Sequence, residues 1–417
     1  MGHNNGKENK MEKKILARIQ DTLDHYVETK QVAGVNILVY KDNKETGYWQ
    51  SGYSDVAAKK VYSRDTICRM YSMSKTVTAV AAYKLIEQGK LDLAGQLKDI
   101  LPEFADITVS IDTGATGTSH PAARPILIQD LLNMTSGYGY GAYWEGSTYG
   151  EHQTSILINE LNADAAGPCK ITTQNFAKKI ARIPLNFESG TDYQYGFSAD
   201  ILGAVIEKVS GQKFSEFLQE NIFAPLGMND TSFYVPAPKQ PRLSKVYKTI
   251  PDETAPGKFA LEAFEGCNLG IQYTMDHAPS FESGGAGLCS TIDDYMKFGL
   301  MLVNRGQFKK EQILQGATID FMSQAQLRDD IQQKFNQKME HLSGYTYCNL
   351  LRIAKEPGKC KALTTKGEYG WDGWLGPYLG IDPANKLVVV MTMQKVDAGT
   401  WDLTRKIKNI IYSSILT

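Results

Sequence analysis

Apolar residues recur at helical spacing early in the chain. Ile15, Ile19, Leu23 and Tyr26, within Lys13 to Thr29, predict a helix with one inward face. Gly34 opens the run Val35-Asn36-Ile37-Leu38-Val39-Tyr40, a strand closed by the turn Lys41-Asp42-Asn43-Lys44. Tyr48 to Tyr53 reads as the returning strand of a hairpin. A run from Val77 through Val80, Ala81 and Leu85, stopped by Gly89, predicts an amphipathic helix.

The texture then changes. Ile111 to Arg124 is rich in Gly, Thr, Ser and Pro and reads as a loop. A short helix, Ile128 to Asn133, leads into Thr135-Ser136-Gly137-Tyr138-Gly139-Tyr140-Gly141, an aromatic, glycine-rich loop. Helical patterns follow at Phe176 to Ile183, ended by Pro184, and at Ala199 to Val209. Pro236 to Phe281 is a long excursion with weak periodicity. Ser283-Gly284-Gly285-Ala286-Gly287 is a tight turn, and Thr291 caps a helix that runs to Asn304. Strands return at Tyr345 to Ile353, Tyr369 to Trp374, Tyr378 to Asp382 and Leu387 to Thr392. A last helix shows Leu403, Ile407, Ile410, Ile411 and Ile415 on one face. Strands at both ends and helices between them predict an α/β (α+β) fold. One sheet is built from the two termini, over 13–94 and 343–417, around a mostly helical insertion over 95–342, with 1–12 a disordered tail.

Composition narrows the function. The chain has 417 residues, 42% hydrophobic and 22% charged, with a net charge of −1. No basic field is available for nucleic acid or an anionic membrane. The polar first thirty residues lack the apolar core of a signal peptide, and no run is long enough to span a bilayer. Met11 is an alternative natural start, with the residues before it a tag or frayed tail. Six scattered cysteines, without a Cys-x-x-Cys, fit a reducing cytoplasm better than a disulfide framework.

The chemistry centres on Ser72-Met73-Ser74-Lys75 at the head of the predicted helix. Positions i and i+3 share a helical face, so the lysine amine can reach the serine hydroxyl. A serine is a weak nucleophile until a neighbouring base takes its proton. Lysine is such a base only when neutral, so its pKa must fall from ~10.4. Burial and nearby positive charge push it that way. Ser-x-x-Lys alone is a weak signal: the chain holds a second, Ser210-Gly211-Gln212-Lys213, which reads as a helix end. A helix cap with a solvated lysine fits Ser72 equally well on spacing alone. Tyr195, just before a helix, can shuttle protons beside a lysine or simply pack. The six histidines form no zinc signature, and neither a Gly-x-Ser-x-Gly elbow nor a dinucleotide fingerprint occurs. No cofactor or metal is expected.

The ordered set of motifs resembles the serine β-lactamase and penicillin-binding-protein superfamily, most closely the class C β-lactamase-related esterases called family VIII carboxylesterases. Ser72-x-x-Lys75 matches the nucleophile motif. Phe187-Glu188-Ser189-Gly190-Thr191, Tyr195 and Leu202-Gly203 reproduce the frame of the tyrosine motif. Trp371-Asp372-Gly373 stands where β-lactamases have Lys-Thr-Gly and the esterases often have Trp-Gly-Gly. Thr135-Ser136-Gly137 and Ser283 to Leu288 resemble recurrent family turns. The resemblance implies a β-lactamase/transpeptidase-like fold with an antiparallel sheet. It implies Ser72 as acylated nucleophile, Lys75 and Tyr195 as its proton partners, and the backbone N–H groups of Ser72 and Trp374 as oxyanion hole.

Departures from the family shape the expectation. Phe197 replaces the asparagine of Tyr-x-Asn, and Trp371 replaces the lysine of the third motif. Both changes disfavour a β-lactam and favour an ester. Tyr138, Phe197, Trp371, Asp372 and Gly373 are the candidate substrate contacts, and Tyr140, Tyr143, Trp144, Trp374 and Tyr378 are further aromatic candidates for cleft walls. Asp372 either faces the cleft or points away. The expected function is a cytoplasmic serine esterase acting on a small-molecule ester or acyl donor. An acyltransferase on the same acyl-enzyme, a β-lactamase or D-amino-acid peptidase, and a non-catalytic binding protein are the alternatives.

Overall fold

The computed structural model describes residues 5–142, 144, 146–399 and 401–415, with side chains from 16 to 414. Tyr143, and the side chains of Ile15 and Ile415, lie outside the described residues. Eight strands form one antiparallel sheet in the order Tyr345–Cys348, Leu351–Ala354, Tyr369–Asp372, Tyr378–Asp382, Leu387–Met393, Gly34–Lys41, Lys44–Asp55 and Lys60–Val61. The two termini meet at its centre, where Val35 to Lys41 pair with Met393 to Leu387. Both halves of the chain must therefore be present before the sheet closes.

Both faces of that central seam are covered, which is why its strands read as continuous apolar runs. Val35, Ile37, Val39, Val389 and Met391 pack under Leu16, Ile19, Leu23, Leu403, Ile407 and Ile411 of the two terminal helices, Asn5–Glu28 and Asp402–Ile415. Leu38, Val388 and Val390 face the main core on the other side. Burying one such side chain is worth ~1.5–3 kcal/mol, so the alternation holds the register.

The helix behind Ser72 runs Ser74–Glu87, and residues 74–83 together with Leu85 are all buried. The expected amphipathic helix is instead a central one, enclosed on nearly every side. Its polar members, Ser74, Lys75, Thr76 and Thr78, are buried with hydrogen bonds.

Some boundaries differ from the sequence reading. The first helix begins at Asn5, so only 1–4 of the expected tail remain outside the described residues. The helix Ile292–Val303, expected within the insertion, lies on the sheet, with Gly299 against Val388 and Leu379. The strand expected over Tyr345 to Ile353 is a hairpin. It turns at Asn349 and Leu350, with φ of 55° and 59°. Such turns favour Asn and Gly, and a leucine there hides the signal. Leu350 is held by burial and by its N–H bond to the Leu132 carbonyl at 2.7 Å. A 17-residue helix, Tyr149–Ala165, opens with a Thr148/Glu151 capping box that the sequence reading passed over. The Pro236 to Phe281 excursion contains a hairpin, Tyr247–Pro251 with Phe259–Ala263.

Beneath the sheet lies a buried ionic cluster. Glu368 accepts from Arg352 at 3.0 Å and from Lys408 at 3.2 Å, and the Tyr378 hydroxyl bonds to it at 3.1 Å. Burial alone raises the carboxyl pKa, but Lys408 and Arg352 outweigh it and hold it at about 2. Replacing Glu368 with Gln leaves two buried cations without their anion, and the expected loss is about 3–5 kcal/mol in urea unfolding at pH 7. Because the folded carboxyl pKa is depressed, its contribution is present above the unfolded value and lost as the pH falls toward about 2.

Candidate active site

The site begins with a sharp bend. Tyr71 has φ of 45°, a left-handed conformation that costs an L residue energy and is kept only under tight surroundings. Its ring lies edge-on to Trp374 at 5.0 Å. The bend leads through a short 3-10 turn, Tyr71–Met73, into the central helix. It leaves Ser72 partly exposed at the helix head and carries Lys75, one turn on, to 0% exposure.

Lys75 Nζ has three oxygen partners: Ser72 Oγ at 3.1 Å, Tyr140 Oη at 3.0 Å and the Gly285 carbonyl at 2.8 Å. It also sits 4.6 Å from the centre of the Tyr195 ring. An ammonium can donate to all three oxygens. A neutral amine can donate two N–H bonds and accept a hydroxyl proton on its lone pair. Burial drives the amine toward the neutral form, against the opposing charges of Asp200 and Asp372, and the pKa falls to about 7. This is the value a general base needs near neutrality.

Tyr195 lies just before the helix Ser198–Ser210. Its hydroxyl hydrogen-bonds to Ser72 and accepts the Trp371 indole N–H at 2.9 Å. Burial pushes the phenol pKa up, so it stays protonated at neutral pH. Serine, amine and phenol therefore form one contiguous proton path. Trp371 is buried in the strand Tyr369–Asp372, and Tyr347 backs its ring at 4.8 Å.

The end of that strand lies against the bend. A Cβ on Gly373 would collide with the Met70 carbonyl, so only glycine lets the two backbones meet. The main chain at Gly373, one residue before Trp374, thereby meets the main chain at Met70, two residues before Ser72. Trp374 itself is half-buried, its indole N–H donating to Asp397 at 2.6 Å and its ring near Phe264 at 5.7 Å.

The remaining candidates divide. Phe197 is buried behind Tyr140, ring centres 4.9 Å apart, and shapes the cleft without facing it. Asp372 is partly exposed, pairs across the sheet with Tyr378 on the face opposite Trp371, and lies close to Gly399; only its charge acts on Lys75 and Tyr195. Two expected wall residues are not walls. Tyr138 is buried against Phe104, because its ring completes the apolar core. Tyr378 is buried under the sheet, where its hydroxyl serves Glu368 and Arg352. Trp144 is 69% exposed.

Three participants had no such role in the sequence reading. Tyr140 appeared only as a possible wall, although its loop signalled aromatics near a site. The Gly285 carbonyl belongs to a turn whose partner could not be read from sequence. Asp200 is a lone acid within an apolar helical run, and such residues are costly to bury without a partner. That cost was the available signal.

Comparison with known proteins gives the family and the fold. The family model described as Beta-lactamase matches residues 19–407, and the chain belongs to that family. The lovastatin esterase of Penicillium rubens is 28% identical over 367 residues, covering 84% of this chain and 85% of that protein. Two solved structures share the fold. One is EstCE1, a hydrolase with promiscuous acyltransferase activity (TM-score 0.77, 23% identity, 96% of this chain and 99% of that one). The other is a LovD6 mutant of simvastatin synthase from Aspergillus terreus (TM-score 0.78, 22% identity, 96% and 98%).

Tyr140→Phe removes one of three oxygen partners from the amine and leaves the ring packing. The expected result is a roughly tenfold fall in kcat with KM little changed, checked by steady-state kinetics on a chromogenic ester.

Proposed function

We propose that the chain is a serine carboxylesterase that works through an acyl-enzyme on Ser72, with small or hydrophobic esters as substrates. The observation that carries this reading is the fully buried Lys75 amine, 3.1 Å from a partly exposed Ser72 hydroxyl. Neutral Lys75 takes the Ser72 proton as Oγ attacks the ester carbonyl. The backbone N–H groups of Ser72 and Trp374 receive the developing oxyanion. The leaving alcohol takes a proton through Tyr195, whose phenol touches Ser72. Water then enters along the same path and releases the acid. Trp371, neutral where β-lactamases carry a lysine, and Asp372 beside it both favour an uncharged ester over a substrate bearing a carboxylate.

Transfer of the acyl group to an alcohol is a second outcome of the same intermediate. The half-buried aromatics Trp374, Phe264 and Tyr273, clustered around Tyr71 beside the nucleophile, favour it, because they can hold an apolar acceptor. Compartment follows the chemistry of the cysteines: all six are free, which suits a reducing cytoplasm. Among the described residues, no helix is long and apolar enough to cross a membrane.

A series of p-nitrophenyl esters tests the reading. Ser72→Ala is expected to lower kcat by at least about 1000-fold, and intact mass should show one acyl group on the wild type during turnover. Full activity in Ser72→Ala would remove the serine mechanism. For the wild type, kcat/KM should rise with pH through about 7, as Lys75 loses its proton. Lys75→Arg, cationic throughout this range, should abolish that rise together with the activity.

A further inference from the structure

Asp200 is 1% exposed, on the helix that follows Tyr195. Its Oδ1 accepts the Ser283 hydroxyl and the Gly285 backbone N–H, the latter at 3.1 Å. Ser283 Oγ in turn accepts the Ala286 N–H at 2.9 Å. The same turn is fixed from the other side by the central helix. Thr78 donates to the Gly284 carbonyl at 2.7 Å, Ser74 accepts the Leu288 N–H at 3.1 Å, and Lys75 donates to the Gly285 carbonyl at 2.8 Å. Asp200 and Lys75 thus grip one peptide turn from opposite sides.

The second carboxylate oxygen, Oδ2, is buried without a hydrogen-bond partner among the described residues. A Cβ on Gly285 would collide with it, so the glycine is what admits the carboxylate to this position. A buried carboxylate with one oxygen unsatisfied is expensive unless an opposite charge faces it. The titratable or charged side chains that act on Lys75 are Tyr140 from the glycine-rich loop, Tyr195 and Asp200 from the start of the next helix, and, through its charge alone, Asp372 at the end of its strand. Of the two carboxylates, Asp200 is the buried one.

We propose that Asp200 is a positioning residue for the reaction. It fixes the Gly285 carbonyl as the acceptor that aims the Lys75 amine at Ser72, and its buried charge sets how readily that amine holds a proton. This rests on the reading of Lys75 as general base. Asp200 touches no reacting atom, so its effect must be read through Lys75.

The test is Asp200→Asn in the full chain, with ester hydrolysis followed from pH 5 to 9. Asparagine keeps an acceptor for Ser283 and Gly285 but removes the charge. A cation that loses an opposite charge loses its proton more easily, so the acid limb of kcat/KM should move to lower pH by roughly one unit. The plateau kcat should fall about tenfold, because the base is weaker, while KM stays within about twofold. A folded Asp200→Asn with an unmoved acid limb and wild-type kcat overturns the proposal. If that variant yields no folded protein, Ser283→Ala takes its place: it keeps the charge and removes a pin. The expected result is then a fall in kcat of about fivefold at unchanged KM, and an unchanged kcat overturns the proposal. Intact mass on the wild type separates the two levels. A Ser72 acyl adduct with an unmoved Asp200→Asn profile fails only the role of Asp200. An active wild type without an adduct, together with full activity in Ser72→Ala, fails the serine mechanism itself, and the role of Asp200 with it.

Discussion

Lys75 Nζ sits at the centre of the chain, out of reach of solvent, with oxygen atoms from three separate segments around it. A charged amine in that position is costly, and the arrangement lowers the cost in two ways. The pKa falls to about 7, so the proton can leave. Every direction in which the amine can donate ends on an oxygen. Much of the local architecture serves that one atom. The Tyr71 bend delivers Ser72, the 135–141 loop delivers Tyr140, and the 283–287 turn delivers the Gly285 carbonyl.

This dependence explains why the central helix is so fully enclosed. An amphipathic helix would leave one side wet, and water would hold the amine protonated. Burial on all sides requires neighbours on all sides. Tyr295 of the helix Ile292–Val303 bonds to Thr76, and the helix Ser198–Ser210 and the glycine turn also lie against the central helix. The sheet is itself closed by a strand from each terminus. The base is therefore assembled only after distant parts of the sequence have met.

The sheet strands, the terminal helices and the Ser72, Lys75 and Tyr195 set were legible because each rests on local pattern or on an ordered set of motifs. What stayed hidden is non-local. The Asn349–Leu350 turn has no glycine to announce it, because burial of Leu350 supplies what the backbone alone would not. The helix Ile292–Val303 was legible as a helix, but nothing in its own residues says that it packs on Val388. Tyr138 and Tyr140 are equivalent in sequence, two tyrosines between glycines. One fills the core and the other bonds to Lys75, and only the packed neighbours separate them. Asp200 is an acid in an apolar helical run, but its partner lies in a turn more than eighty residues away, and the sequence reading did not single it out.

The neutral indole at Trp371 also changes the electrostatics of the cleft. A lysine in its place would be a second cation beside Lys75, and would depress its pKa further while attracting a carboxylate. With Trp371 the indole N–H instead goes to the Tyr195 hydroxyl. That bond fixes the phenol by a neutral dipole and leaves its own proton free to point toward Ser72. Asp372, like Asp200, adds negative charge that keeps Lys75 from losing its proton too easily. The departure at Trp371 thus acts on the phenol and on the amine together. It sets a neutral indole where a cation would stand, and leaves the proton balance of Lys75 to two carboxylates, one buried and one partly exposed.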